Sequence, residues 1–265
     1  MIGCVGVGLH SGARVGLTLR PAEVGTGIRF RRVDRLGAAA IPARLDHVVE
    51  LPGATCLGAQ PQPVVRMIEH LMAALMACEI DNALVEISGP ELPAMDGSAQ
   101  PFVLLIECAG TIEQDAPVAE LVVLRSVEVQ DGPRRARLEP ARGLHLEVRR
   151  EGGARTFGFS FSSEACKRDL AAAREHASAH EARFADEPCR HAALDTLADL
   201  ALVPARLHGR LVSSAADAPL RRRLLRELLV RPESWCLEGE LPAGVLLGCQ
   251  PGAPLDRRPA RIAST

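Results

Sequence analysis

The chain has 265 residues, of which 47% are hydrophobic and 24% are charged, and its formal net charge is −2. This length allows one large domain or two of ordinary size, and the composition is that of a globular protein rather than a disordered or fibrous one. The near-neutral charge argues against a nucleic-acid partner, because such binding normally needs a concentrated basic surface.

The first third of the chain predicts short strands separated by glycine-marked turns, followed by helices. Apolar and polar residues alternate in CVGVGLHSG, ARVGLTLRP and GTGIRFRRV, as they do in half-buried strands. Apolar residues then recur every three or four positions in VVRMIEHLMAALMAC, 64–78, which predicts a helix packed on a sheet. DNALVEIS predicts another strand, PELPAMDGS a turn, and AQPFVLLIECAG a second helix.

The same order of elements repeats in the second half of the chain. EQDAPVAE, 113–120, is polar and contains proline, so we interpret it as a break between domains. Beyond it, the expected strands are ELVVLRSVEV, RRARLEPA, GLHLEVRR and RTFGFSF, followed by helical sequence from about residue 164 to 203. The strand RLHGRLVSS and the helix APLRRRLLRELLV follow. The sequence therefore predicts an α+β protein with two similar domains, 1–117 and 118–265.

The cysteines and the N-terminus bear on the compartment of the protein. The eight cysteines are scattered and form no Cys-x-x-Cys pair, so we expect reduced and mostly buried thiols. The N-terminus lacks a basic region followed by an apolar stretch, and no apolar run approaches the roughly 18 residues of a membrane helix. We expect a cytoplasmic protein without a membrane span.

Two short stretches could contribute to one metal site. Glu69 and His70 are adjacent in the first predicted helix, and His191 and Asp195 stand four apart in RHAALDTLADL, on one face of a helix. A hydrolytic zinc centre uses three N/O ligands, an open position for water and a nearby carboxylate that takes a proton. The alternative is a hydrogen-bonded surface pair at each place, since a His/Asp spacing of four is common by chance. Spacing alone does not decide between the two.

The remaining histidines are interpreted as satisfied core or surface residues. His208 lies in an alternating strand, and His176 and His180, four apart in an alanine-rich charged segment, could bind a second metal but fit a solvated helix better. The others are His10, His47 and His145.

Five segments carry a resemblance to a known family. They are GVGLHSG, EHLMAAL, IDNALVEISGPELPAMDGSAQPF, ARTFGF and RHAALDTLADL, and they occur in this order. Together they closely resemble the zinc-dependent UDP-3-O-acyl-N-acetylglucosamine deacetylases of lipid A biosynthesis. The resemblance implies two similar α+β domains, each a mainly antiparallel sheet with two helices, and with the helices sandwiched between the sheets.

The resemblance also implies a set of site residues. It assigns His70, His191 and Asp195 as zinc ligands, Glu69 as the general base, and Asp199 as a carboxylate behind the ligands. In the ARTFGF segment it implies that the Thr156 hydroxyl polarises the acetyl carbonyl, with Phe157 and Gly158 contacting substrate. Asp96 and His10 match positions that we interpret as supporting.

The sequence departs from the family at two positions. Where the family has a lysine after the second histidine ligand, this chain has Ala192, and where the family has a catalytic histidine, gap-free matching reaches Ala218, after Asp217. The interval from Thr156 to His191 is 35 residues, shorter than expected for the family's acyl-chain passage.

Three functions are therefore open on the sequence alone. The first is a zinc deacetylase acting as a monomer on a UDP-linked, 3-O-acylated N-acetylglucosamine. The second is a divergent paralogue with weak or no activity that binds or regulates. The third is a deacetylase for a smaller N-acetylated amino sugar.

Overall fold

The structure of the protein is a computed structural model that describes residues 1–51, 53–59, 62–149, 156–174, 181–214, 217–238 and 259–263. His176 and His180, which were expected on a solvated helix, lie outside the described residues, as does Cys249. The remaining cysteines are free thiols, as expected.

The first half of the chain forms one mixed sheet, one small sheet and two helices. Its elements are β1 (Ile2–Val7), β2 (Arg14–Pro21), β3 (Ile28–Arg32), β4 (Ile41–Pro42), β5 (Val48–Leu51), β6 (Ala54–Ala59), β7 (Gln62–Arg66), α1 (Glu69–Ala77), β8 (Ala83–Ile87), α2 (Gln100–Ala109) and β9 (Thr111–Pro117). The larger sheet has the order β1-β2-β8-β3-β4, and β5, β6 and β7 form an antiparallel sheet of their own. All pairs in the larger sheet are antiparallel except β3 with β8.

The second half repeats this plan with a larger sheet. Its elements are β10 (Glu120–Val123), β11 (Val127–Asp131), β12 (Arg134–Glu139), β13 (Leu144–Arg149), β14 (Thr156–Ser160), α3 (Ser163–Asp169), α4 (Glu187–Leu200), β15 (Arg206–Ser213), α5 (Ala218–Leu229), β16 (Trp235–Glu238) and β17 (Pro259–Ala263). The main order is β11-β12-β15-β10-β16, with β13 paired to β15 and β14 paired to β13. Among the described strands of this half, β15 pairs in parallel with β10 and β13, and the other pairs are antiparallel.

The helices lie between the two sheets and share one core. α1 packs against α2 and α4, while α4 also contacts α5, β13 and β14, and α5 lies on β11 and β12. Buried side chains from both halves belong to one continuous apolar cluster. The alternation in β2, where Val15, Leu17 and Leu19 are buried and their neighbours are more exposed, directs one face of the first sheet into this core. The predicted α+β class with sandwiched helices is confirmed. None of the helices in the described ranges has the length and apolarity needed to cross a bilayer.

Three predicted elements were wrong in part. The helix expected over 64–78 begins only at Glu69, because residues 62–66, with the β-branched Val64 and Val65, form β7 beside β6. Met67, at φ +59°, turns the chain from strand into helix.

The expected break at 113–120 is largely β9, which pairs with β17. Its partner lies at the other end of the chain, so local polarity concealed the strand. Residues 259–263, assigned from sequence to the second domain, thus pair with a strand of the first.

The helical stretch expected from 164 to 203 contains two separate helices in the described residues. α3 begins after Ser162, whose side chain accepts a hydrogen bond from the Ala165 N–H, and ends at Asp169. α4 begins at Glu187 with Pro188 in its first turn, which is where proline is tolerated in a helix.

Candidate metal centre

His70, His191 and Asp195 lie together where α1 meets α4. The Nε2 atoms of the two histidines are 2.9 Å apart, and His191 Nδ1 is 3.3 Å from Asp195 Oδ2. One potential ligand atom from each residue falls within 4.8 Å of the other two. Because α1 packs along α4, residues 121 positions apart in sequence share one site.

The local structure explains how each side chain reaches the cluster. His70 is the second residue of α1, and Glu69 precedes it at the helix N-terminus. His191 and Asp195 lie one turn apart in α4, so both project from the same face. The contact between α1 and α4 adds a third candidate ligand, His70, from another part of the chain. The four-residue spacing in α4 accounts only for the other two.

One atom of the cluster supports a bound cation directly. Asp195 Oδ1 is buried and has no hydrogen-bond partner among the described residues. A buried carboxylate oxygen without a donor is costly, and an ion is one of the usual reasons for such an atom. Two imidazoles and a carboxylate are N/O donors of the type that divalent transition metals bind. The residues present therefore fit a metal ion.

Burial shifts the proton affinities of the two neighbouring helix residues in opposite directions. It raises the pKa of Glu69 to about 8, with repulsion from Asp195 as the next cause. It lowers the pKa of His70 to about 4, so that this imidazole is neutral at physiological pH and can act as a ligand. Glu69 Oε2 accepts a hydrogen bond of 3.1 Å from the Thr55 N–H, which orients the carboxyl group.

Asp195 differs from Glu69 because interactions with neighbouring groups lower its pKa. Burial alone raises the pKa of Asp195, but His191, then His70 and Arg221, outweigh this and leave the pKa lowered. The carboxylate therefore stays ionised, as a metal ligand must.

Asp199 lies one turn beyond Asp195 and is bound by two arginines of α5. Arg221 Nε donates to Oδ2 at 2.8 Å and Arg222 Nη1 donates to Oδ1 at 3.1 Å, with all three side chains only 2% exposed. Burial raises the pKa of Asp199, and the arginines oppose that rise. Both oxygens of Asp199 thus accept hydrogen bonds from arginines.

Sequence reasoning missed these arginines. Arg221 and Arg222 belong to the RRRLLREL run of an amphipathic helix, where charged residues are expected on the solvent face. Only the contact with Asp199 explains their burial. The sequence held no signal of this burial, since consecutive helix residues are about 100° apart and both arginines could have faced solvent.

The structure places Thr156, in the ARTFGF segment, at the start of β14, and its role toward the acetyl carbonyl stays a prediction. Thr156, Gly158 and Ser160 are exposed along β14, whereas the intervening Phe157 is partly buried and Phe159 is buried. Because alternate side chains of a strand point to opposite faces, Thr156 lies on the face of β14 opposite Phe157 and Phe159.

Phe157 and Gly158 follow Thr156 in β14, and their contact with substrate stays a prediction. The guanidinium of Arg190 lies over the Phe157 ring, 5.1 Å from its centre, and over Phe184 at 4.6 Å. This stacking anchors the residue before His191 to the second sheet. Gly158 has open space where a side chain would be.

The two departures from the family pattern are visible in the structure. Ala192 is buried in α4 and Ala218 is the first residue of α5, capped by Asp217, so neither position offers a polar side chain. His208 does not replace them, because its Nε2 lies 3.4 Å from Glu120 in the neighbouring strand.

Asp96 and His10 have supporting surroundings, and Asp96 lies near the cluster. Asp96 pairs with Arg183 at 2.8 Å, and its charge acts on His70. The His10 N–H donates to the buried Glu91 at 3.1 Å, which holds the turn after β1.

Two histidines and one carboxylate, with a second carboxylate beside them, are typical of metal-dependent hydrolases. The chain matches the model of the UDP-3-O-acyl N-acetylglycosamine deacetylase family over residues 1–182. It belongs to this family of metalloenzymes.

Individual relatives extend the similarity beyond the family match, across α4. A UDP-3-O-acyl-N-acetylglucosamine deacetylase of Acidithiobacillus ferrooxidans is 37% identical, over 89% of this chain and 90% of the relative. The enzyme of the same name from Citrifermentans bemidjiense is 39% identical, over 88% of each chain. That of Myxococcus xanthus is 38% identical, over 87% of this chain and 84% of the relative.

Proposed function

We propose that this protein is a zinc-dependent deacetylase that hydrolyses the N-acetyl group of a UDP-linked 3-O-acyl-N-acetylglucosamine in lipid A biosynthesis. The proposal is carried by the proximity of His70, His191 and Asp195, with Glu69 next to His70 in the chain. The buried Oδ1 atom of Asp195 has no hydrogen-bond partner among the described residues. Family membership supplies the substrate class.

The residues have distinct roles in this proposal. His70, His191 and Asp195 would hold the zinc ion. Zinc, when bound, lowers the pKa of water and polarises the acetyl carbonyl. Glu69 takes a proton from the attacking water and later delivers it to the amine as the C–N bond breaks, which yields acetate and a free amino sugar.

Glu69 carries both proton transfers because Ala192 and Ala218 provide no second acid. Burial favours the protonated form of Glu69, which the delivery step needs, and a bound cation would favour the ionised form, which the first step needs. A general acid contributes about 10²–10⁴-fold, so we expect turnover slower than that of an enzyme with a separate acid.

We also propose that the protein acts as a monomer in the cytoplasm, with domains spanning 1–117 and 118–265. The two sheets, each with its own helices, support this division, although β17 crosses it.

A second candidate function follows from Ala192 and Ala218. In this alternative the chain keeps the metal and binds a sugar nucleotide or a regulatory partner with weak or no hydrolysis. The short segment between Thr156 and His191 favours a further variant, hydrolysis of an N-acetylated sugar without the acyl chain.

One experiment separates these functions. Zinc content and acetate release are measured for the wild type with acylated and unacylated UDP-N-acetylglucosamine. His191→Ala and Asp195→Ala are tested beside His145→Ala, which changes a histidine bound to Ser160 and the Arg142 carbonyl instead. We expect about one zinc per chain and acetate from the acylated sugar, both lost in the two ligand variants only.

The other outcomes point elsewhere. Acetate from only the unacylated sugar supports the smaller substrate, and zinc without acetate from either supports the binding protein. A wild type that takes up no zinc contradicts the proposal.

A further inference from the structure

Arg221 is a buried cation that the proposed mechanism does not use. Its side chain is 2% exposed, on the face of α5 that packs against α4. Its Nε–H group donates to Asp199 Oδ2 at 2.8 Å. Burying a guanidinium is expensive, so its remaining N–H groups should also find acceptors.

One of those groups has no acceptor among the described residues. Arg221 Nη1 is buried and makes no hydrogen bond to the residues that the structure describes. The adjacent Arg222 shows the contrast, because it bonds Asp199 through Nη1 and Glu50 through both Nε and Nη2. Buried donors without an acceptor are rare in proteins, and a missing ligand is one of their recognised causes.

The position of Arg221 identifies the kind of ligand. Asp199, to which Arg221 donates, lies one helical turn beyond Asp195 in α4, so the guanidinium lies beside the part of α4 that carries the cluster. Asp195 Oδ1 is itself buried and has no partner in the part of the chain that the structure describes. The unpaired Nη1–H donor of Arg221 and the unpaired Oδ1 acceptor of Asp195 therefore lie in the same region. A cation bound by Asp195 would have the Arg221 guanidinium as a neighbouring positive group.

We propose that Arg221 makes the metal pocket a carboxylate-binding site, in which its Nη1–H group donates to the anionic oxygen of acetate and of the tetrahedral intermediate that precedes it. The identity of the intermediate rests on the proposed deacetylase function. The binding of acetate by Arg221 does not depend on that function. The guanidinium supplies the positive charge that Ala192 and Ala218 cannot.

The chemistry of arginine fits this role and limits it. A guanidinium stays protonated throughout the physiological range, so Arg221 stabilises an oxyanion but donates no proton to the leaving amine. In a site shielded from water a charge-assisted hydrogen bond is strong. Proton transfer therefore remains with Glu69.

The test measures binding of acetate without turnover. The cobalt-loaded protein is titrated with acetate and with acetamide, which has a similar shape and no charge, and the visible absorption of cobalt reports binding. The variants are Arg221→Gln, Arg221→Lys and the matched control Arg223→Gln, which changes an exposed arginine of the same helix. The same titrations are repeated on metal-free protein by ligand-observed NMR.

We expect Arg221→Gln to weaken acetate binding by about 10- to 100-fold while leaving acetamide binding unchanged. Arg221→Lys should recover part of the loss, and Arg223→Gln should match the wild type. Equal acetate affinity in Arg221→Gln and wild type, with or without metal, overturns the proposal. If the wild type binds no metal, the proposed deacetylase function is contradicted rather than the role of Arg221. The metal-free titration still compares acetate binding by the Arg221 variants and the wild type.

Asp199→Asn keeps the proposal testable if Arg221→Gln does not fold. This variant retains Arg221 and removes the carboxylate that compensates its charge, so acetate should bind at least as tightly as in the wild type. Weaker binding would count against Arg221 as the anion-binding group.

Discussion

The Nε2 atoms of His70 and His191 lie 2.9 Å apart, although 121 residues separate them in the chain. One imidazole comes from the first turn of α1 and the other from α4, and their rings meet edge to face at 83°. The pair therefore forms only when the two halves have packed together. A metal held by both histidines would connect the halves and couple its binding to folding.

Metal binding should stabilise the whole protein. At a free zinc concentration of 100 times Kd, the free energy of unfolding should rise by about 2.7 kcal/mol, because zinc binds the folded state alone. Thermal unfolding with zinc and with a chelator measures the shift. Asp195→Ala should show none, whereas His47→Ala, which changes a histidine paired with Asp46, should respond like the wild type. A full zinc response in Asp195→Ala would remove that residue from the ligand set.

The metal-free protein should lose stability as the pH rises, through Glu69. Its folded pKa of about 8 lies above the ordinary value of 4.5, so its contribution is fully present below pH 4.5 and is lost as the pH rises through 8. Relative to Glu69→Gln, the free energy of unfolding of the wild type should fall by on the order of 1–3 kcal/mol between pH 5 and pH 9. This is less than the full pKa shift would give, because the side chain is partly exposed to solvent.

Urea unfolding of both proteins in chelator, at several pH values, isolates this effect, because all other titrating groups are shared. Parallel stability profiles for the two proteins would show that Glu69 titrates normally.

Contacts between residues close in the sequence could be predicted at this site, whereas contacts between distant residues could not. The pairing of His191 with Asp195 was predictable because a helix brings residues four apart together. The approach of His70 and the burial of Arg221 and Arg222 depend on packing of α1, α4 and α5, which no local pattern encodes. β9 was missed for the same reason, since its partner strand lies near the C-terminus.

Two arginines on α5 that share Glu50 should differ sharply in their effect on stability. Arg222 is 2% exposed and also bonds Asp199, whereas Arg226 is 42% exposed. Arg222→Met should cost about 3–5 kcal/mol, because it leaves buried carboxylate charge less compensated. Arg226→Met should cost at most about 1 kcal/mol, as is usual for an exposed pair. Chemical denaturation measures both, and equal losses would mean that the Asp199 contact of Arg222 adds nothing.

Thr156→Val tests whether strand geometry or motif resemblance is the better guide to function. The substitution keeps the shape of the side chain and removes the hydroxyl, which lies on the exposed face of β14, opposite Phe159. Acetate release should change by less than about twofold, while loss of a true oxyanion donor costs about 10²–10³-fold. Glu69→Gln, measured in parallel, should abolish most of the activity and show that the assay responds to the site. A hundredfold loss in Thr156→Val would require β14 to present its other face to the substrate, and the resemblance of ARTFGF would then outweigh the alternation of the strand.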